Sequence, residues 1–341
     1  MDKETAFSGH GINLYVNRLM RIFYKTLEHI IKERILALKY MHLFRRGEKK
    51  PEKQMLVMMV DGRHYHGGMC DRFKGIVSSY AYCKQRGIDF RINYTYPFPL
   101  TDYLIPAEYD WTLRDGDMSN CIWDSRIMYY RSEYGKRLLR LKTGKQIHYY
   151  GNTDFLELLN ETGGTSYRWG ELFKELFRPT ELLSSNLNRL HESIGGPYNA
   201  AVFRFQNLLG DFPEYKFKPL ETEEERRSLI EKCLNAIRDI ISRHPDGMPL
   251  LVTSDSRSFL EKAAGIKEVF IIPGSLIHMD GGNNTDSQTK SASYLKSFLD
   301  FFMISEASHV SCIMTGKMYN TQFPAYAAKV NDVPFERIKI E

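Results

Sequence analysis

The chain begins with an apolar pattern of helical period. Between residues 12 and 44, large apolar side chains recur every three or four positions, which predicts one long helix. These positions are Ile12, Val16, Leu19, Phe23, Leu27, Ile30, Ile31, Ile35 and Leu38. Lys and Arg crowd the remaining positions and continue into "FRRGEKKPEK". Residues 1–50 are therefore predicted to form a basic amphipathic helical segment.

This basic helix has two interpretations. A basic amphipathic helix can lie on an acidic membrane surface, which would make residues 12–44 a peripheral membrane contact. The alternative is a helix that packs its apolar stripe on the protein and leaves its charged face in solvent. The second interpretation is favoured because charged helix faces are usually only solvated, and both stay open.

From residue 51 onward, short apolar runs alternate with helical stretches. Residues 55–60 are predicted to be a buried strand, 70–87 a helix and "IDFRINYTYPF" a second strand. In the second half, the predicted strands are "YNAAVFRFQ", "MPLLVTSDS", "KEVFIIPG" and "HVSCIMTG", with helices between them. Alternation of this kind predicts α/β domains built on doubly wound parallel sheets.

Glycine and proline gather in "SIGGPYN", between a helical stretch and a strand, and suggest a domain boundary there. The prediction is a first Rossmann-like domain over residues 51–195 and a second over residues 196–341. Two such domains facing each other would leave a cleft, which is a usual place for a ligand.

Composition narrows the class of protein. With 341 residues, 43% of them hydrophobic and 26% charged, the chain has ordinary globular composition and enough length for two cores. The net charge of +5, with no face that combines basic and aromatic residues, argues against a nucleic-acid partner. The five cysteines are scattered, and the polar N-terminus is unlike a secretory signal. We therefore expect a cytoplasmic protein with no disulfide framework, no zinc site and no membrane span.

Open parallel sheets bind ligands at the carboxyl ends of their strands, and this rule selects candidate residues. Four places qualify: residues 61–72, Arg204 with the nearby Asp211, residues 254–256, and the pair Thr315-Gly316. Arg204 interrupts an apolar strand, where a guanidinium needs an anion. A phosphate and a carboxylate such as Asp211 are equally good partners.

The other two strand ends in the second half have their own alternatives. Thr315-Gly316 leads toward a helix N-terminus, where backbone N–H groups can bind phosphate, although a simple turn would look the same. Of Ser254, Asp255 and Ser256, at least one is expected to cap the next helix. The remaining residues of that triplet are left to touch a ribose or a base.

The stretch "RDGD" contains Asp115 and Asp117, two carboxylates that can share a hard cation. They lie among polar turn residues, with no apolar strand leading to them. Metal binding by this pair is therefore the less favoured interpretation. No metal ligand and no cofactor are predicted.

Four stretches together resemble one protein family. "GGMCDRFKGIVSSYAYCKQRGIDFRI", "AAVFRFQNLLGDF", "LLVTSDSRSFLEKA" and "SASYLKSFLDFFMISEASHVSCIMTGKMYNTQFPAYAAKV" occur in this order within residues 55–335. They are similar to segments of the fucosyltransferase-like superfamily, which includes xyloglucan, nodulation-factor, core α1,6 and protein O-fucosyltransferases. The resemblance implies a GT-B fold, a GDP-fucose donor, a glycan acceptor, inversion at the anomeric carbon and no metal.

The resemblance also implies roles for individual residues. Arg204 matches the arginine that holds the GDP pyrophosphate and assists departure of the leaving group. Ser254 and Asp255, with Ser256 beside them, match the segment near the guanosine. Thr315 and Gly316 match the segment near the phosphates. All of these residues are therefore predicted to bind the donor.

Two departures from the family pattern keep other functions open. Val202 stands where the family has a histidine, and Phe205 stands where it has a second arginine. A transferase of the same fold that uses another nucleotide sugar is one alternative. A non-catalytic glycan-binding protein is the other.

The first domain would supply a base for the acceptor hydroxyl. Asp71 is the best-placed carboxylate, and its alternative role is to satisfy N–H groups at the start of a helix. Gly67 and Gly68 lack the spacing of a phosphate loop. They are predicted, with Arg72, to bring the backbone close to the donor sugar and the acceptor.

Overall fold

The computed structural model describes residues 7–44, 53–130, 144–212, 218–243, 247–274, 276 and 287–341, apart from the side chains of residues 7–19, 21, 22, 25, 26, 130 and 287–289. The chain divides into two compact units. The N-terminal unit comprises Met1–His66, Asp71–Tyr96 and Trp111–Thr165. The C-terminal unit comprises Gly67–Cys70, Pro97–Asp110 and Ser166–Glu341.

This division differs from the predicted boundary at residue 195. Residues 166–195 and 97–110 both group with the C-terminal unit. The reason is a small antiparallel pair in which strand β3 (Leu104–Pro106) bonds to strand β6 (Phe177–Pro179). The cluster "SIGGPYN" ends a helix rather than a domain, because Gly195 is the left-handed C-cap, with φ of 78°.

The N-terminal unit is built on a four-stranded parallel sheet of order β2-β1-β5-β4. Its strands are β1 Met55–Val60, β2 Asp89–Tyr94, β4 Ser125–Tyr130 and β5 Gln146–Gly151. Its helices are α1 Phe7–Tyr40, α3 Leu156–Gly163 and, from Asp71 onward, α2 Met69–Arg86. The predicted strand over 55–60 is confirmed. Five of the six residues of β1 are buried, as expected of a central parallel strand that is covered on both faces.

Helix α1 confirms a long helix within the predicted segment 1–50, of which residues 1–6 and 45–50 lie outside the described residues. The favoured interpretation of its packing is wrong for the described side chains. Leu27, Ile31 and Leu38 of the apolar stripe are exposed. The helix instead packs through its other face, where Leu36 lies in a buried cluster with residues of β1, β4 and β5. No described helix is long and apolar enough to cross a membrane.

The C-terminal unit is built on a five-stranded parallel sheet of order β11-β10-β7-β8-β9. Its strands are β7 Asn199–Phe203, β8 Leu250–Ser254, β9 Val269–Phe270, β10 Val310–Met314 and β11 Phe335–Lys339. Its helices are α4 Trp169–Leu176, α5 Glu181–Ile194, α6 Glu223–Arg243, α7 Arg257–Ala263, α8 Ser287–Ser305 and α9 Phe323–Val330. The α/β architecture with two parallel sheets, as predicted, is confirmed.

Candidate functional site

The order of strands in the C-terminal sheet marks one place for a ligand. From β7 the chain proceeds to β8 and β9 on one side, and then crosses to β10 and β11 on the other. The order therefore reverses between β7 and β10, and ligands of open α/β sheets bind outside the carboxyl ends of strands at such a point. Arg204 directly follows β7, and Thr315 directly follows β10.

Arg204 is held by a carboxylate at this edge. Its Nη1 lies 3.0 Å from Oδ2 of Asp255, which follows the neighbouring strand β8. The guanidinium also lies over the ring of Phe212, 4.8 Å from its centroid. The side chain of Arg204 keeps 23% of its surface exposed, whereas that of Asp255 has 0%. The carboxylate that the structure shows beside Arg204 is therefore Asp255, whereas Asp211 was the suggested partner.

Asp255 also holds the backbone that follows Arg204. The N–H groups of Phe205 and Gln206 donate to its two carboxylate oxygens at 2.8 and 2.7 Å. Gln206 has a positive φ of 53°, a conformation that costs a non-glycine residue about 1 kcal/mol. Burial raises the pKa of Asp255, while Arg204 and the two N–H groups oppose the rise. Asp255 therefore fixes both the guanidinium of Arg204 and the backbone turn that directly follows this residue.

The two serines beside Asp255 organise the start of helix α7. Ser256 is the N-cap, because its Oγ accepts from the N–H of Phe259 at 3.2 Å. The same hydroxyl donates to Asp211 Oδ2 at 2.8 Å, and Ser254 Oγ accepts from the N–H of Ser256 at 3.1 Å. The prediction that one residue of this triplet caps the helix is confirmed, and Asp211 accepts a hydrogen bond from the capping hydroxyl.

The loop after β10 is tied to the same edge. The N–H of Tyr319 donates to the backbone oxygen of Arg204 at 3.3 Å, and Thr315 Oγ1 accepts from the N–H of Lys317 at 3.3 Å. Helix α9 begins only at Phe323, so six residues separate it from Gly316. Backbone N–H groups beside Gly316 therefore belong to a loop, not to the predicted helix N-terminus. A Cβ on Gly316 would meet no atom within 4 Å, so its surroundings are open.

The fold has counterparts among solved protein structures. Scans of the sequence find no matching family model and no matching curated protein. Solved structures do match. NodZ α-1,6-fucosyltransferase co-crystallised with GDP has a TM-score of 0.52 at 11% identity, over 81% of this chain and 92% of that chain. A mutant of Arabidopsis thaliana FUT1 in complex with GDP has a TM-score of 0.54 at 12% identity, over 91% of this chain and 75% of that chain.

The chain has the fold of these fucosyltransferases. The likeness runs over most of both chains, so the GT-B fold expected from the sequence resemblance is confirmed. At this low identity the likeness concerns the fold alone.

The predicted residues around the glycine turn have mixed environments. Gly67 has a φ of 82°, which favours glycine, whereas a Cβ on Gly68 would meet no atom within 4 Å. Asp71, in the first turn of α2, has 44% of its side chain exposed and lies 2.6 Å from Lys74 Nζ. Arg72 is only 1% exposed, and its Nη1 donates to the hydroxyl of Tyr94 at 2.9 Å. The structure thus keeps Asp71 accessible and encloses Arg72.

Sequence reasoning did not single out the polar cluster at the carboxyl end of β1. The carboxylate of Asp61 accepts from the hydroxyl of Tyr150 at 2.7 Å, from the N–H of Arg63 at 3.0 Å and from its guanidinium at 2.5 Å. Burial works to raise the pKa of Asp61, but hydrogen bonds from His66, Tyr150 and Arg63 hold it well below its ordinary value. Strand order in the N-terminal sheet reverses between β1 and β5, so Asp61 and Tyr150 occupy its switch point. Asp61 lies in the range 61–72, which was selected because it follows the carboxyl end of a predicted strand. That position is the feature of the sequence that could have identified Asp61 as a site residue.

A second chain of hydrogen bonds connects α1 to this sheet. The hydroxyl of Tyr40 pairs with His148 Nδ1 at 2.9 Å, and His148 Nε2 pairs with Gln146 Oε1 at 2.9 Å. Burial lowers the pKa of His148 to about 4, so its imidazole is neutral near pH 7. The last residue of α1 is thereby fixed to the strand next to β1.

Asp117 of the stretch "RDGD" takes part in a turn. Asp117 Oδ2 accepts from the N–H of Arg114 at 2.9 Å and lies 3.9 Å from Arg91 Nε. Across the described ranges, no group of three or more His, Cys, Asp or Glu residues could hold a metal ion. Asp117 closes a turn.

Proposed function

We propose that the protein is an inverting, metal-independent glycosyltransferase that transfers fucose from GDP-fucose to a glycan hydroxyl. The observation that carries the proposal is Arg204, a partly exposed guanidinium held by a buried carboxylate at a sheet switch point. The fold likeness supports it, because NodZ structures were obtained with GDP and after soaking with GDP-fucose.

In the proposed reaction, the bond between the fucose anomeric carbon and the diphosphate oxygen breaks, and its electron pair stays on that oxygen. Arg204 would neutralise the negative charge that grows there, by charge-assisted hydrogen bonds that strengthen as the bond breaks. The acceptor oxygen forms its bond to the anomeric carbon from the opposite face, which inverts the configuration. No cation is required for this stabilisation.

The proton of the acceptor hydroxyl must pass to a base as the new bond forms. We assign this role to Asp71, an accessible carboxylate in the first turn of α2. Gly67 and Gly68 would let the backbone approach the sugar, since Gly68 has open space around it. Arg72 is enclosed, so it would act on the donor indirectly, by holding the segment after β2 in place. Its Nη1 also donates to the backbone oxygen of Tyr96 at 2.7 Å.

The remaining proposed donor contacts come from residues at the same edge of the C-terminal sheet as Arg204. Thr315 and Gly316 would approach the phosphates, since their loop is bonded to the Arg204 backbone. Ser254 and Ser256 would lie towards the guanosine. Asp255 would serve the donor by positioning Arg204, because its own carboxylate is fully enclosed.

One observation favours a different donor for the same fold. Phe205 is fully buried and packs against Phe259, with ring centroids 5.0 Å apart. An aromatic core residue cannot supply the charge of a second guanidinium. A nucleotide sugar other than GDP-fucose, or a glycan-binding protein without transferase activity, are therefore the alternatives to test.

A donor panel distinguishes these functions. Purified protein is incubated with GDP-fucose, GDP-mannose, UDP-glucose and dTDP-rhamnose, and release of each nucleoside diphosphate is measured with the Arg204→Ala variant as the blank. Release from GDP-fucose that depends on Arg204 supports the proposal. Release only from another donor contradicts the choice of sugar. Release from none, together with tight glycan binding, favours the non-catalytic alternative.

We expect transfer to survive removal of divalent cations. With EDTA in excess, the rate should stay within about twofold of the untreated rate, because Arg204 performs the charge stabilisation that a cation would supply. The measurement is the initial rate with and without EDTA. A loss that Mn²⁺ restores would contradict metal independence, and an Asp117→Asn variant would then show whether "RDGD" is responsible.

The proposed partners are a nucleotide sugar and a glycan, in a reducing, cytoplasmic compartment. All five cysteines are buried thiols, which supports a compartment that does not form disulfides. Contact of residues 12–44 with a membrane is a separate proposal, because it needs no catalytic activity.

A further inference from the structure

Helix α1 packs on the N-terminal sheet through one narrow face. His29 and Leu36 are buried there, and Glu33 Oε1 accepts from the backbone N–H of Tyr129 at 2.9 Å. With Tyr40, these residues recur at spacings of three and four, so they share one side of the helix. The attachment ends in the hydrogen bond between Tyr40 and His148.

The opposite side of the same helix is apolar and exposed. Successive residues turn by about 100°, so positions two apart point in nearly opposite directions. Leu27 and Ile31 therefore point away from the buried His29 and the bonded Glu33. The outer face consists of Met20, Phe23, Tyr24, Leu27, Ile30, Ile31, Ile35 and Leu38, all of which are exposed. Leu38 reaches 86% exposure.

This outer face is not the result of a loosely attached helix. The buried cluster around Leu36 and the bond from Lys39 Nζ to the backbone oxygen of Arg63, at 2.7 Å, fix the rotation of its C-terminal half. Rotating the helix to bury Leu27 would expose Leu36 and break the contacts of Glu33. Monomeric proteins rarely leave so long an apolar stripe in water without a partner.

Charge identifies the kind of partner. Residues 1–53 contain twelve Lys and Arg against six Asp and Glu, a net charge of +6, whereas the whole chain has +5. The rest of the chain therefore carries −1, and all of the positive excess belongs to the sequence segment that contains α1. Arg34 even lies within the stripe, between Leu27 and Leu38. A second copy of this helix would bring like charges together, whereas an anionic surface would neutralise them.

We propose that the outer face of α1 binds an anionic phospholipid bilayer, with the helix lying parallel to the surface. The apolar side chains would enter the boundary between headgroups and acyl chains, and the flanking Lys and Arg would contact lipid phosphates. Because Tyr40 and Lys39 attach the helix near the carboxyl end of β1, that edge of the N-terminal unit would be held at the membrane.

The test is vesicle co-sedimentation with the full chain. Vesicles of phosphatidylcholine and of phosphatidylcholine with phosphatidylglycerol are compared, for the wild type and for a Leu27→Glu/Ile31→Glu variant. We expect the wild type to bind the anionic vesicles, to bind them more weakly in 0.5 M salt, and to lose at least about tenfold in affinity in the variant. Both substituted positions are exposed, so the variant should keep the wild-type unfolding midpoint.

A matched control places the same substitution elsewhere. Leu182→Glu/Trp123→Glu changes two exposed apolar residues outside α1 and should bind vesicles like the wild type. Two results would overturn the proposal: no binding of the wild type to anionic vesicles, or equal binding by the α1 variant. Light scattering tests the alternative that a second copy of the chain occupies the outer face. A wild-type dimer that the α1 substitutions dissociate, with no binding to vesicles, would assign the face to a second copy. Neither measurement depends on transferase activity.

Discussion

Replacing Arg204 with alanine should lower kcat by about a hundredfold or more, because the leaving diphosphate would lose its charge-stabilising donor. The guanidinium is partly exposed at the switch point, and Asp255 fixes its direction. The donor KM should change less than kcat, since in the proposed reaction the interaction would strengthen as the anomeric bond breaks. The measurement is single-substrate kinetics with GDP-fucose at saturating acceptor.

Loss of Arg204 also leaves Asp255 without its cation, so stability must be measured in the same variant. Arg204→Lys keeps the positive charge but not the planar fork, and should retain the fold while losing much of kcat. Arg227→Ala is the matched control, because Arg227 is an exposed arginine 3.7 Å from Glu224 at the start of α6. A kcat near the wild-type value in Arg204→Ala would rule out the assigned role.

The second large effect concerns Asp255. Asp255→Ala should lower the free energy of unfolding by about 3 kcal/mol or more, because three donors lose a buried acceptor at once. These donors are the guanidinium of Arg204 and the N–H groups of Phe205 and Gln206. Urea denaturation measures the loss. Asp255→Asn keeps one acceptor oxygen and should lose less.

Asp239→Ala, an exposed carboxylate on α6, serves as the matched control and should stay within about 0.5 kcal/mol of the wild type. Kinetics separate positioning from mere stability. In an Asp255→Ala background, the further change Arg204→Ala should lower kcat much less than it does in the wild type, because the two residues act together. Additive effects, or an Asp255→Ala variant of normal stability, would show that Asp255 does not position Arg204.

Local sequence patterns predicted helices and strands well where interactions between residues near in sequence determine them. The apolar run over 55–60 is buried on both faces and therefore forms a strand with the predicted bounds. The helix that begins beyond Ser256 starts where a hydroxyl can accept a backbone N–H, as predicted. Arg204 and Thr315 come together because carboxyl ends of parallel strands meet at one edge, a consequence of the α/β alternation itself.

Partners across long sequence separations were less predictable. Asp211 and Asp255 are both carboxylates near Arg204 in the predicted topology. Only the pairing of β7 with β8 brings Asp255 within 3.0 Å of the guanidinium. In the same way, Asp71 and Arg72 are neighbours in sequence, but only Asp71 is accessible. Arg72 is enclosed because it contacts Tyr94 and Tyr96, which are distant in sequence.

By itself, the sequence determined that this protein has parallel α/β sheets, one long basic helix and a short set of strand-end residues, because hydrophobic period and chain direction are local properties. Only the tertiary structure decided three further matters. These are the carboxylate that holds Arg204, the grouping of residues 97–110 and 166–195 with the C-terminal unit, and the outward direction of the apolar stripe on α1. Each depends on strand order or helix rotation, which contacts between distant segments determine, and local patterns are compatible with more than one outcome.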